Sequence, residues 1–278
     1  MDQRGEQAMM DNITLGRYYP GDSPLHRMDP RLKILVAILT MTAVFIIRKP
    51  IAIAVLAVGI GGGIALSRIP FRQVLRSVRP ILFVILFAFF LNLFTVPGNE
   101  LIKLGPLRIT DASVETAVRM ALRLVLLIMS TSVILTLTTT PILIADALES
   151  LLKPLERLRF PVHELAMMMS IALRFVPTLS EETSKIMKAQ SSRGADYDTG
   201  GVIQKAKGLV SVLVPLFISA FRRAEDLAVA MEARCYRGGK GRTKLKVMRL
   251  TRLDAWAAVL IVLFFTGLCI LQFTPLIP

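Results

Sequence analysis

The 278-residue chain is 54% hydrophobic and carries 34 Lys and Arg against 20 Asp and Glu, a formal net charge of +14. Its mean hydropathy of +0.59, with the apolar residues gathered in blocks rather than spread at core spacing, excludes an ordinary soluble domain and marks an integral membrane protein. Cys235 and Cys269 suggest neither a disulfide framework nor a metal site, and a basic excess in such a chain is first a topology signal rather than a mark of nucleic acid binding.

Residues 1–33 are polar and rich in Pro and Gly, with no apolar core of a signal peptide, so the first apolar helix is expected to be retained. Met1 to Met10 carries no packing signal and is expected to be disordered. Ile34–Ile47 and Ile51–Leu66 are apolar runs separated by Arg48-Lys49-Pro50. Each is short of the roughly 20 residues a span needs. Two spans then require borrowed flanks such as Leu32 and a snorkelling Lys33, and a re-entrant hairpin is the alternative. Gly59, Gly61, Gly62 and Gly63 would let a neighbouring helix come close.

Residues 67–80 hold Arg68, Arg72, Arg76 and Arg79 and no acid, which places them on the cytosolic side. A third span over Ile81–Val96, a loop over Pro97–Glu115 and a fourth span over Thr116–Thr138 follow. Arg119 and Arg123 near the start of that fourth span are read as snorkelling to the outer interface, although intramembrane arginines are also candidates for function. A last span covers Leu253–Phe273, with Trp256 suited to the interface. Five spans put the termini on opposite sides. With the N-terminus inside, only Arg48, Lys49, Lys103, Arg108, Arg119 and Arg123 of the 34 basic residues fall outside the cytosolic face.

Between the fourth and fifth spans lies a basic, amphipathic stretch, Pro141–Arg252. Pro141 opens a helix that stops at Lys153-Pro154. A second helix is expected over Val162–Arg193 and a third over Val202–Arg234, each with apolar residues every three to four positions and each about 45 to 50 Å long at 1.5 Å per residue. Neither is apolar all round, so neither is expected to span. Pro177 and Pro215 fall inside them and should kink them. Met167, Met168, Met169, Met187 and Met231 suit either an adaptable binding surface or ordinary core filling.

Both helices close on a small-Arg-small triplet, Ser192-Arg193-Gly194 and Ala233-Arg234-Cys235. An arginine at a helix C-terminus is favoured by the macrodipole by a few tenths of a kcal/mol and needs no function. The repetition points instead to docking: if the helices run antiparallel, Arg193 and Arg234 are tens of ångströms apart, placed for two subunits of a dimeric partner. A guanidinium fork pairs carboxylates bidentately, so an acidic groove is the expected receptor. The chain shows no catalytic signature. Arg237–Thr243 (RGGKGRT) lacks the spacing and the strand of a phosphate loop, and His26 and His163 have no neighbouring ligand set.

The strings GRYYPGDSPLHRMDPRLK (16–33), IPFR (69–72), IALRFVPTLSEE (171–182), KAQSSRGADYD (188–198) and AMEARCYRGGKGRT (230–243) resemble the transmembrane T component of bacterial energy-coupling factor transporters. The resemblance covers nearly the whole chain, and its last two strings are the specific ones. It implies an L-shaped, all-α membrane protein of about five transmembrane helices plus a coupling domain of three long helices. It implies two ABC-type ATPase subunits that receive Arg193 and Arg234, and a membrane S component that captures a vitamin. No cofactor is expected in this chain. The triplets depart from the family's paired Ala-Arg-Gly only by the small residues Ser192 and Cys235.

The expected domains are 1–33 (cytosolic segment), 34–140 (spans one to four), 141–252 (cytosolic coupling domain) and 253–278 (span five, leading to an outside C-terminus). The competing readings are a conventional permease with its own substrate path and a membrane-bound lipid-modifying enzyme. The first would show charges at mid-depth, the second clustered acids or histidines.

Overall fold

The computed structural model describes residues 18–98, 100–104, 107–194, 201–238 and 250–274. The expected disordered leader at Met1–Met10, the connection 195–200 and the basic residues 239–249 lie outside the described residues. Two compact units emerge. One is formed by Arg17–Ala147 with Val247–Pro278, the other by Leu148–Lys246.

The first unit opens with a short helix α1 (Pro24–Arg27) and then α2 (Pro30–Ile46), α3 (Pro50–Ser67) and α4 (Phe71–Val78). A single 3-10 turn, Arg79–Ile81, joins α4 to α5 (Leu82–Thr95). Proline at the first helical position starts α1, α2 and α3, where its missing N–H costs nothing. A β-hairpin follows, β1 (Glu100–Leu104) pairing antiparallel with β2 (Leu107–Thr110). Next come α6 (Asp111–Thr131), a π-helical turn over Ser132–Leu137, and α7 (Pro141–Leu152), which crosses into the second unit. Helix α10 (Arg252–Phe273) returns to the first.

Three expectations for this unit change. The loop over Pro97–Glu115 contains the hairpin, and α6 starts at Asp111 rather than Thr116. The cause is a capping box: the Thr110 hydroxyl accepts from Ser113 N and the Ser113 hydroxyl accepts from Thr110 N. Lys33 does not snorkel. It is 1% exposed, its ammonium donating to Thr138 O (3.0 Å), the Thr139 hydroxyl (3.2 Å) and His26 O (3.4 Å). Of the glycines on α3, only Gly59 sits against a neighbour; a Cβ there would come within 2.3 Å of the Phe264 ring on α10, whereas Gly61, Gly62 and Gly63 face open space.

Helices α2 and α10 run in parallel and are pinned at both ends. At one end Asp29 N donates to Asp254 Oδ1 (2.8 Å); at the other Arg48 N donates to Gln272 Oε1 (3.1 Å). Lys49 adds a bond from its ammonium to Thr274 O (2.7 Å), and Arg123 donates to Ile47 O (2.8 Å), closing the C-terminal end of α2. Arg123 therefore serves as a helix cap, while Arg119 pairs with Glu115 one turn away. The apolar core lies between these two polar ends, with Val44, Ala52, Ile53, Leu56, Leu126 and Leu268 as one cluster and Ile64, Ile69, Val74, Val133 and Leu137 as another.

Five described helical segments are long and apolar enough to cross a membrane: Pro50–Ser67, Phe71–Thr95, Asp111–Leu137, Val162–Ser192 and Arg252–Phe273. The set differs from the expected five in two places. The 17-residue α2 is too short by itself, yet its pins show that it covers the same depth as the 22-residue α10. The expected non-spanning helix Val162–Ser192 meets the length and composition test, although at a mean hydropathy of 1.2 against 2.1 to 2.3 for the others.

The second unit holds the 3-10 turns Lys153–Leu158 and two long helices, α8 (Val162–Ser192) and α9 (Val202–Ala233). The first helix of the expected coupling trio, α7, is only 12 residues and not long. Both long helices continue through their internal prolines, Pro177 and Pro215. The fold is thus an all-α membrane protein with one small hairpin.

Candidate docking site

Arg193 and Arg234 occupy the same station on their helices, the C-cap. The chain leaves each helix in the same way. After Arg193, Gly194 takes a left-handed φ of 86° and donates to Ser191 O (3.0 Å). After Arg234, Cys235 takes a φ of 56° and donates to Glu232 O (2.8 Å), and Tyr236 N reaches back to Met231 O (3.0 Å). At Arg234 this pair of bonds is the Schellman arrangement, and at Arg193 the left-handed glycine makes the corresponding first bond; each satisfies carbonyls the helix end would leave bare. A glycine adopts that conformation freely; the cysteine does so against its Cβ.

Arg193 and Arg234 are both exposed, as are Ser192, Gly194, Ala233 and Cys235. Neither guanidinium has a carboxylate partner among the described residues. The Ser192 hydroxyl turns inward to Lys188 O (3.0 Å), so the small residue beside Arg193 offers no competing group.

Glu182 joins the two helices. Its carboxylate takes a bond from Arg223 Nη2 (2.6 Å) and another from the Ser219 hydroxyl. Gly208 and Val212 are buried on α9, and the half-buried Ser219 and Arg223, which reach Glu182 on α8, continue their line at helical spacing. Each terminal arginine sits about eleven residues beyond this ion pair on its own helix, so both arms are about 16 Å long. At the base, His163 Nδ1 meets Glu149 Oε1 (3.1 Å) and ties α8 to α7.

What remains of the two helices is largely bare. Val162 is the buried residue of α8, and Gly208 and Val212 those of α9, among the described residues. Met168, Met169, Val176 and Met187 on α8 and Leu209, Val214, Phe217 and Phe221 on α9 are exposed. Faces this apolar on helices of 31 and 32 residues mark surfaces that other molecules cover.

Sequence reasoning located the arginines but missed the buried polar joints of the first unit. Asp254 is 1% exposed and accepts from Asp29 N, Thr251 N (2.8 Å) and the Thr251 hydroxyl (2.7 Å). Tyr19 N donates to Leu137 O (3.0 Å) at the end of the π turn. Only the Thr251-to-Asp254 spacing of a capping box signalled any of this locally. Near that end the Arg27 guanidinium donates twice to Asp22 (3.1 Å each) and holds its carboxyl below the usual carboxylate range. His26 is occupied by Ser23 (2.7 Å) and Tyr19 O (3.0 Å). The three buried charged residues, Asp29, Lys33 and Asp254, thus bond to their own chain.

These features define a class: a multi-span helical membrane subunit whose second unit is a pair of long, underpacked helices with matching basic ends. Comparison with known proteins agrees. The family described as cobalt transport protein matches residues 21–245. A protein of Ruminiclostridium cellulolyticum named energy-coupling factor transporter transmembrane protein EcfT is 49% identical over 265 residues, covering 95% of this chain and 99% of its own. Proteins of the same name from Thermosediminibacter oceani and Bacillus subtilis are 52% and 47% identical, over 90% and 88% of this chain and 94% and 93% of theirs. The chain belongs to the family of energy-coupling factor transporter transmembrane proteins.

Proposed function

We propose that this chain is the non-catalytic coupling subunit of its transporter, carrying ATP-driven motion from two ATPase subunits to a membrane S component that binds a vitamin or similar micronutrient. Arg193 and Arg234 each enter an acidic groove on one ATPase subunit. The observation that carries this reading is their equivalence: both are exposed C-cap residues, each about 16 Å beyond the shared Glu182–Arg223 pair. A helix end stabilised only by its dipole has no need of matched arms.

The apolar faces of α8 and α9 take the S component. ATP is bound and hydrolysed in the partner chains, so this chain needs no cofactor, metal or nucleic acid. The N-terminal segment (1–33) and the coupling segment (141–252) face the bacterial cytosol. The spans are 34–140 and 253–278, and the C-terminus is outside, which follows the excess of Lys and Arg on one side. Residues 34–66 cross as two spans rather than as a re-entrant hairpin, which the pinning of α2 along α10 supports.

The test is co-purification of the chain from membranes with its candidate ATPase pair, together with vitamin uptake, for wild type, Arg193→Ala, Arg234→Ala and the double variant. Loss of both ATPases and of uptake in a correctly inserted double variant is the expected result. Retention of both in all four would reduce the arginines to helix ends.

A further inference from the structure

Helix α4 carries a feature that coupling does not use. Arg72 and Arg76 on α4 and Arg79 at the start of the 3-10 turn that follows recur at i, i+4 and i+7 and form one stripe, all three exposed, with Arg68 exposed just before the helix. The segment 67–80 contains no acid, and none of the three has a carboxylate partner among the described residues. Val74 (0% exposed) packs with Ile64, Ile69, Val133 and Leu137, and Val78 (5%) is buried on the same side of α4, so the stripe cannot turn inward. Phe71, Leu75 and Leu82 form a second exposed stripe, apolar, roughly 90° round the helix from the arginines at 3.6 residues per turn. Through Arg79–Ile81 the helix continues directly into the apolar span that ends at Thr95.

That continuity fixes the height of the arginines at the edge of the hydrocarbon. The positive-inside bias accounts for basic residues in this segment but not for their alignment beside an apolar stripe. The macrodipole favours Arg76 in the last turn of α4 and Arg79 at its C-cap, but it accounts neither for Arg72 in the first turn nor for the alignment of all three beside an apolar stripe. We infer that the Arg72/Arg76/Arg79 stripe is a seat for the phosphate headgroups of anionic phospholipid, with Phe71, Leu75 and Leu82 lying against the acyl chains. Guanidinium forks match phosphate oxygens bidentately, and each basic residue at an anionic surface raises affinity roughly fivefold.

The test uses the full chain reconstituted in phosphatidylcholine bilayers with or without phosphatidylglycerol, with retained lipid counted by native mass spectrometry. Wild type should retain phosphatidylglycerol over phosphatidylcholine, and added salt should weaken the preference. R72Q/R76Q/R79Q should lose it, R72K/R76K/R79K should keep part of it, and R157Q, on the other unit, should leave it unchanged. Absence of a phosphatidylglycerol preference in wild type overturns the inference even if the Gln variant fails to insert. A Gln variant that keeps the lipid but loses a protein partner from the purified transporter also overturns it, and shows the stripe to be a protein contact.

Discussion

The two units of this protein are held together by opposite means. In the first, long-range polar joints are buried: Lys33 on Thr138 and Thr139, and Asp254 on Asp29, connect residues more than 100 positions apart with little exposed surface. In the second, the helices share the half-exposed Glu182–Arg223 pair and a narrow stripe, and leave most of their apolar residues bare. A buried hydrogen bond fixes one geometry, since losing it strands polar groups away from water. A bare amphipathic helix takes its geometry from whatever covers it. The first unit thus fixes its own geometry from within, whereas the second leaves its long helices to be set by what covers them.

The sharpest way to break this contrast is Asp254→Ala, which removes half of the capping box of α10 and strands the N–H groups of Asp29 and Thr251. It should cost about 2 to 4 kcal/mol, read as a lowered melting temperature in detergent. Gly59→Val should cost about 1 to 3 kcal/mol by driving a side chain into Phe264, and Phe264→Ala in the same chain should recover much of that loss. In the second unit, Glu182→Ala should cost only about 1 kcal/mol, because its Arg223 partner is 36% exposed and solvent already screens the pair. A double-mutant cycle with Arg223→Ala would show a larger coupling if this joint were as rigid as those of the first unit. Cys235→Gly should stabilise by up to about 1 kcal/mol, since it relieves a left-handed residue of its Cβ.

Legibility followed the range of the forces involved. The ends of α8 and α9 were read to within one residue because caps and left-handed exits are local. The Thr110-to-Ser113 box that starts α6 was equally local and went unread, which displaced the helix start by five residues. Burial of Lys33 could not be read at all: its acceptors, Thr138 and Thr139, lie on the far side of four helices and the hairpin, and nothing near Lys33 announces them. The reach of α2 was hidden for the same reason, since its 17 residues look short until Gln272 and Asp254 fix its two ends. The equal arms from Glu182–Arg223 to the two arginines needed the crossing point, which the sequence pattern does not mark.

The most direct measurement sets the two units against each other in one experiment: melting temperature and ATPase co-purification for Asp254→Ala and for Arg193→Ala/Arg234→Ala, from the same membranes. Asp254→Ala should melt lower yet, wherever it remains folded, still hold both ATPase subunits. The double arginine variant should melt within the error of wild type and lose them. If the arginine variant keeps both subunits at the wild-type level, the matched helix ends are not the docking points and the central claim is wrong.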